Sequence, residues 1–120
     1  MTPPPDRTPS VVLKIRLLHK ELYGIGKKLP KGDKLGIHRL VETICVETLI
    51  LAIEAAFKSH KQKISVLEQL RIKIEILKHI VRTEYECEVI DERKYLRLSE
   101  QLVIISKETS NWLVYTQKGA

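Results

Sequence analysis

Two predicted helices of this chain each carry three basic residues within one narrow sector of the helix surface, at roughly 100° per residue. Such stripes suit contacts with phosphate groups, which give a salt-dependent affinity without base specificity. The alternative is an ordinary solvated helix face with i,i+4 pairs such as Arg71 with Glu75. The predicted nucleic-acid-binding residues are Arg16, Lys20, Lys27, Arg71, Lys78 and Arg82.

No residue pattern indicates catalysis. The chain lacks a Gly-rich phosphate loop, an HExxH motif, a paired cysteine spacing and a nucleophile signature. The histidines share no ligand spacing; they are His19, His38, His60 and His79. Di-metal sites in helical bundles use Glu-x-x-His pairs, whereas Glu75 is four residues before His79. The sequence therefore predicts no catalytic residue, no metal site and no cofactor, and the protein is not expected to be an enzyme.

Charge and composition favour a polyanion partner and one globular domain. The chain has 120 residues, 43% of them hydrophobic, and a formal net charge of +6. Residues 1–63 carry twelve Lys or Arg against six acids, whereas residues 64–120 carry nine of each. A basic excess of this kind suits nucleic acid or simply keeps a surface well solvated. With no apolar signal region and no membrane-length segment, a cytoplasmic protein is expected, with Cys45 and Cys87 reduced.

The first half of the chain predicts two helices. Residues 1–9, with four prolines, are predicted to form a flexible arm. Ser10 is a plausible N-cap of a first helix that stops before Pro30, and Asp33 is a plausible N-cap of a second helix from about 34 to 59. Their inner seams, spaced by three and four, are Val11, Ile15, Leu18, Leu22, Ile25, Leu29 and then Ile37, Val41, Ile44, Thr48, Leu51, Ala55.

The second half predicts two more helices. Ser65 with Glu68 matches a capping box, so the third helix is expected to begin there after a short polar link. Asp91 is the predicted N-cap of the fourth. Their inner seams are Leu67, Leu70, Ile74, Leu77, Val81 and then Tyr95, Leu98, Leu102, Ile105, Thr109, Trp112. The predicted fold is an all-α, up-down-up-down antiparallel four-helix bundle over residues 10–116, followed by a tail at 117–120.

Apolar residues outside these seams indicate an oligomer. The stretch ICVETLILAIEAAF, residues 44–57, is apolar almost all round, so its helix should be buried on both sides. The third helix has a second apolar stripe that a monomeric bundle does not use. The predicted oligomer interface consists of Ile50, Ile53, Phe57, Ile72, Ile76 and Ile80.

The order of motifs resembles the accessory variability determinant (Avd) proteins of diversity-generating retroelements over residues 11–116. The segments that carry this likeness are KELYGIGKKLPKGDKLGIHRLVE, LEQLRIKIEILKHIVR and DERKYLRLSEQLVIISKETSNWL. The family's pattern of Phe-Pro-basic, an acid and a Leu-Gly pair appears here as Leu29-Pro30-Lys31, Asp33 and Leu35-Gly36. Its Leu-Arg followed by Arg on helix three appears as Leu77-Lys78 and Arg82. Its helix-four Tyr is Tyr95, and its closing Gly-Trp appears as Asn111-Trp112.

The resemblance implies a ring-shaped homopentamer with a basic surface. Members bind the retroelement reverse transcriptase and nucleic acid, and they support error-prone copying of a template RNA without being polymerases. Lys78 stands where the family has Arg, and Asn111 stands where it has Gly. Lys cannot make the forked contact of Arg, so a phosphate-binding role transfers better to Arg82 than to Lys78.

Two other hypotheses remain open. Similar bundles are encoded in intervening sequences of large-subunit ribosomal RNA genes and have no settled function. The chain could also be a structural oligomer whose charge only keeps it dissolved, in which case changing Arg16, Lys20, Arg71 or Arg82 would cost no nucleic-acid binding.

Overall fold

The computed structural model describes residues 8–119 of the chain. These residues form five helices and no strand: α1 (Ser10–Lys27), α2 (Lys31–Leu35), α3 (Ile37–Phe57), α4 (His60–Glu86) and α5 (Glu92–Lys118). Most of the predicted flexible arm lies outside the described residues, which begin just before α1. The bundle extends two residues past the predicted boundary, because α5 continues to Lys118.

Two of the predicted helix starts in the first half are wrong. Ser10 is the first residue of α1 and makes no capping hydrogen bond, since Pro9 occupies the N-cap position. Asp33 lies inside the short helix α2, and α3 begins only after Gly36. The predicted turn therefore contains a short helix of its own, with Pro30 at its N-cap position.

The capping box predicted at Ser65 is also wrong. α4 begins at His60, so Ser65 lies in its second turn and the expected polar link is mostly helical. The capping-box pattern of Ser65 and Glu68 is therefore coincidental. In contrast, the N-cap predicted at Asp91 is confirmed, because its carboxylate accepts a hydrogen bond of 2.8 Å from the backbone N–H of Lys94.

The core of the fold is an aliphatic seam formed by the four long helices. The seams predicted for the third and fourth helices are buried except at Tyr95 and Trp112, which are half-buried. In α3 the buried stripe also includes Cys45 and Ala52, whereas Leu51 is half-buried. None of the helices within residues 8–119 has an apolar stretch that could cross a membrane.

The four long helices pack against one another in a closed order. α1 packs against α3 and α5, and α4 packs against the same two helices, so that α1 and α4 lie on a diagonal of the bundle. The short helix α2 packs on α3. A binding site that uses both α1 and α4 must therefore extend around the bundle or into its core.

Two leucines of α5 provide a matched test of this core. Leu98 is fully buried and Leu96 is 56% exposed. We expect Leu98→Ala to lower the free energy of unfolding by about 2–5 kcal/mol, because it removes buried methyl groups and leaves a cavity. Leu96→Ala should cost less than about 1 kcal/mol. Urea unfolding of both variants measures the difference, and equal losses would contradict this assignment of the core.

Candidate nucleic-acid interface

The basic stripe on α1 is exposed and free of acidic partners. Arg16, Lys20 and Lys27 are all exposed, and none of them forms an ion pair with another residue in the range 8–119. The ammonium of Lys27 lies 4.8 Å from the centre of the Tyr23 ring, a cation–π contact that leaves its charge uncompensated. Within the described residues, no acid reduces the charge that this stripe presents to an external anion.

The basic stripe on α4 is different, because two of its three cations are already paired. Lys78 donates to Glu75 at 2.9 Å, and the Arg82 guanidinium lies 3.4 Å from Glu86. The alternative pair of Arg71 with Glu75 does not form, and Arg71 is exposed without a partner among the described residues. The net positive charge of this stripe is therefore smaller than its sequence suggests.

Arg82 is further held by an aromatic pair. Tyr85 and Tyr95 stack with ring centroids 4.5 Å apart and planes 10° from parallel. Arg82 lies 5.8 Å from the Tyr95 ring and donates to its hydroxyl at 3.4 Å. This hydrogen bond, a second one with Ser99 and the charge of Arg82 lower the pKa of the Tyr95 hydroxyl. The side chain of Arg82 is thus positioned by its own bundle.

The structure does not bring the two predicted basic stripes together, since α1 and α4 lie on a diagonal. The α1 stripe instead continues into the turn and short helix that follow it. Between residues 27 and 39 five basic residues accompany a single acid, Asp33. Lys28, Lys31 and Lys34 are exposed and have no ion pair within the described chain. The strongest positive surface therefore runs along α1 into α2.

The predicted interface residues divide into exposed and half-buried groups. Ile53 and Ile80 pack partly against the core. The exposed members are Ile50, Phe57, Ile72 and Ile76, with exposures of 57%, 87%, 58% and 42%. An ion pair of 3.1 Å between Lys73 and Glu47 places the outer surfaces of α3 and α4 side by side.

Two surface depressions extend the apolar area to other helices. A cleft of about 510 Å³ between α1 and α3 is lined by Arg16, Val12, Ile53 and Phe57. A groove of about 190 Å³ between α1 and α5 is lined by Leu17 and Ile104, which are 60% and 43% exposed. Since α1 and α5 lie across the bundle from the α3–α4 surface, exposed apolar side chains occupy two opposite sides of the molecule.

A buried polar cluster is the site that reasoning from the sequence missed. His38 is fully buried at the start of α3, where its Nδ1 lies 2.5 Å from Oε2 of Glu84 and its Nε2 lies 2.7 Å from the carbonyl oxygen of Leu22. Glu84 is itself fully buried. A glutamate at an inner-seam position of its helix is the signal that could have revealed the cluster, because a buried acid needs a partner.

The environment of His38 favours its protonated form. Burial lowers the pKa of the imidazole, but this effect is outweighed by the hydrogen bonds with Glu84 and the Leu22 carbonyl and by the negative charges of Glu84 and Glu42, so the pKa is raised. Gly26 makes room for the ring, because a Cβ atom there would lie 2.8 Å from Oε1 of Glu42 and 2.9 Å from Cδ2 of His38.

Comparisons with known proteins do not assign the chain to a family. No protein-family model, no curated protein and no solved structure matches it. No group of three or more potential ligands for a metal ion occurs in the described part of the chain. The resemblance to accessory variability determinants stays a prediction based on the order of residues.

The Arg82–Tyr95 contact gives a test of the α4 surface. We expect Arg82→Gln to raise the pKa of Tyr95 toward its ordinary value, because the substitution removes the charge that stabilises the phenolate. The titration can be followed by NMR of ring-labelled tyrosine. Arg71→Gln is the control and should leave the Tyr95 titration unchanged, whereas an unchanged titration in Arg82→Gln would contradict the contact.

Proposed function

We propose that this protein is a non-catalytic accessory protein of a diversity-generating retroelement. In this role it assembles into a basic homo-oligomer, binds nucleic acid and the element's reverse transcriptase, and supports mutagenic retrohoming in the cytoplasm. The observation that carries the nucleic-acid part of the proposal is the exposed, unpaired basic stripe of α1 and its continuation into α2. The retroelement part rests on the resemblance described above.

The α1 stripe is better suited to phosphate groups than to an acidic protein surface, in which the charges have fixed positions. Its lysines have flexible side chains, and no acid among the described residues forms an ion pair with them. Lysines of this kind act as mobile point charges that follow a polyanion without reading its bases. We therefore expect contact with nucleic-acid backbones that falls steeply with salt.

We infer that the four long helices run up-down-up-down. Contacts between neighbouring helices support this order, because residues early in one helix face residues late in the next. Between α3 and α4, His38 in the first turn of α3 meets Glu84 in the last turn of α4. On α1 and α5, Lys14 meets Glu108, and Arg97 lies 2.5 Å from Glu21.

For the assembly we propose a head-to-tail ring, with five subunits as the resemblance implies. Two different apolar surfaces on opposite sides of a subunit support this geometry, because a heterologous contact joins unlike surfaces and forms a ring when the rotation between subunits closes. In this arrangement the α3–α4 surface, with Ile72 and Ile76, meets the α1–α5 groove of the next subunit. The basic stripe would then repeat once per subunit and sum to a strong field.

The two alternatives make different predictions about genome context and binding. A bundle of the ribosomal intervening-sequence type would be encoded within an rRNA gene, whereas an accessory variability determinant would be encoded beside a reverse transcriptase gene with template and variable repeats. A purely structural oligomer would bind nucleic acid weakly and would not respond to changes in the α1 stripe.

Fluorescence anisotropy across a salt series tests nucleic-acid binding. We expect the protein to bind a structured RNA and duplex DNA with an affinity that falls steeply with salt. The triple variant Arg16→Gln, Lys20→Gln, Lys27→Gln should flatten the slope of log K against log salt on duplex DNA by up to about three per bound subunit.

The matched control is the same triple change on α4, at Arg71, Lys78 and Arg82, which should reduce the slope less because two of these cations are already paired. An α1 variant that binds like the unmodified protein would remove the α1 assignment. No binding at low salt would contradict the proposed function itself.

Light scattering tests the assembly. Ile76→Asp should dissociate the oligomer, because it would bury an unpaired charge in an apolar contact. Leu17→Asp, on the opposite side, should do the same if the contact is head-to-tail. Gln117→Asp adds the same charge at an exposed polar position of α5 and should leave the mass unchanged. Retention of the full mass by Ile76→Asp would exclude this surface as an interface.

A further inference from the structure

Three helices meet at the buried imidazole of His38. The ring belongs to α3, its Nδ1 contacts the Glu84 carboxyl group of α4, and its Nε2 contacts the Leu22 carbonyl of α1. A third oxygen atom, Oε1 of Glu42, lies 3.2 Å from Nε2. The ring is 0% exposed and so is Glu84, so water does not compete for these contacts.

The partners of the ring determine where its protons lie. A backbone carbonyl only accepts hydrogen bonds, so Nε2 must carry a hydrogen and donate it to Leu22. With Glu84 ionised, Nδ1 must also carry a hydrogen, because two acceptors 2.5 Å apart repel each other. The contacts of this cluster are therefore satisfied by an imidazolium facing a carboxylate.

We propose that His38 and Glu84 form a proton-dependent lock that ties α1, α3 and α4 together at the end of the bundle carrying the basic α1–α2 surface. Loss of the Nδ1 proton opens the lock. This inference concerns a conformational device and is independent of the proposed function, because it rests on buried contacts and not on any partner.

Among the described residues, Glu84 and Glu42 are the charged groups that contact the His38 ring. α1 presents the Leu22 carbonyl and Gly26, α4 presents Glu84, and α3 itself presents Glu42. α2 also packs on α3, but its charged residues make no hydrogen bond or ion pair with His38. The second oxygen of Glu84 has no hydrogen-bond partner in the described chain, so the carboxylate depends on the ring.

The direction of the pH effect follows from the raised pKa of His38. A group whose pKa is higher in the folded state contributes stability that is fully present below its unfolded pKa, here 6.5. This contribution is lost as the pH rises through the folded pKa. Burial raises the pKa of the Cys45 thiol, seven residues further along α3, to about 12, so Cys45 stays protonated over this window.

Opening of the lock loosens a specific part of the fold. The Leu22 carbonyl and Gly26 belong to the last two turns of α1, directly before the segment that carries Lys27, Lys28 and Lys31. Separation of Glu84 from the ring removes the polar contact between α4 and this end of α3. The α1–α2 end is therefore expected to be held more firmly near neutral pH than at alkaline pH.

Urea unfolding as a function of pH tests the lock on the full chain. Above pH 6.5 the unfolding equilibrium constant should rise by up to about tenfold per pH unit until the folded pKa is passed. In Glu84→Gln the new amide can donate to the Nδ1 atom of a neutral His38, so this rise should disappear. His79→Gln, which changes an exposed histidine of α4, should show the same slope as the unmodified protein.

A flat profile for the unmodified protein, or an unchanged slope in Glu84→Gln, would overturn the proposal. If Glu84→Gln does not fold, nitrogen NMR of the histidine side chains in the unmodified protein decides instead, with His38→Gln used only for assignment. An imidazolium signal of His38 that persists above pH 6.5 supports the lock, and a neutral His38 at that pH contradicts it.

Discussion

A bundle of four helices can bury only one stripe of each helix around a single core, and the rest of this structure depends on that constraint. Each long helix supplies aliphatic residues spaced by three and four, and these close into one seam in which residues such as Leu70, Leu98 and Leu102 are almost completely buried. Apolar residues outside the seam stay on the surface, as Ile72 and Leu17 do. Burial of these surfaces against another subunit would remove apolar area from water. The proposed self-assembly would cover these apolar surfaces and repeat the basic stripe once per subunit.

Helix periodicity also places the charged residues on the surface, but the net charge of each stripe depends on whether an acid lies one turn from each cation. Lys78 and Arg82 sit on α4 beside Glu75 and Glu86, which compensate them. Among the described residues, Arg16, Lys20 and Lys27 of α1 pair with no acid, so stripes that look equal in the sequence become unequal surfaces in the structure. The interior shows the complementary case, because Glu84 and His38 can be buried only as a pair. Charged residues that pair with one another thus hold the bundle together, whereas unpaired charged residues are available to a partner.

The sequence predicted the helices and the core more completely than the site. Periodicity placed Leu67, Leu70 and Ile74 in the core, and Asp91 was identified as a cap because its position directly precedes a strongly periodic helix. The cap prediction at Ser65 was wrong because a capping pattern inside a segment that packs well does not stop a helix. The prediction at Ser10 was wrong by one residue, because Pro9 occupies the N-cap position. Pairing between helices was beyond sequence reasoning: which cation meets which acid depends on the contacts of neighbouring helices, and the partner of His38 is 46 residues away.

The most direct test of the central claim, that the free cations of α1 and α2 contact nucleic-acid phosphates, is lysine footprinting by acetylation and mass spectrometry with and without a structured RNA. We expect Lys20, Lys27 and Lys28 to lose reactivity when RNA is bound, because phosphates cover them. Lys73, which is paired with Glu47 of α3, and Lys94, which is paired with the N-cap Asp91 of its own helix, should react equally in both states. Equal acetylation of the α1 lysines with and without saturating RNA would contradict the account.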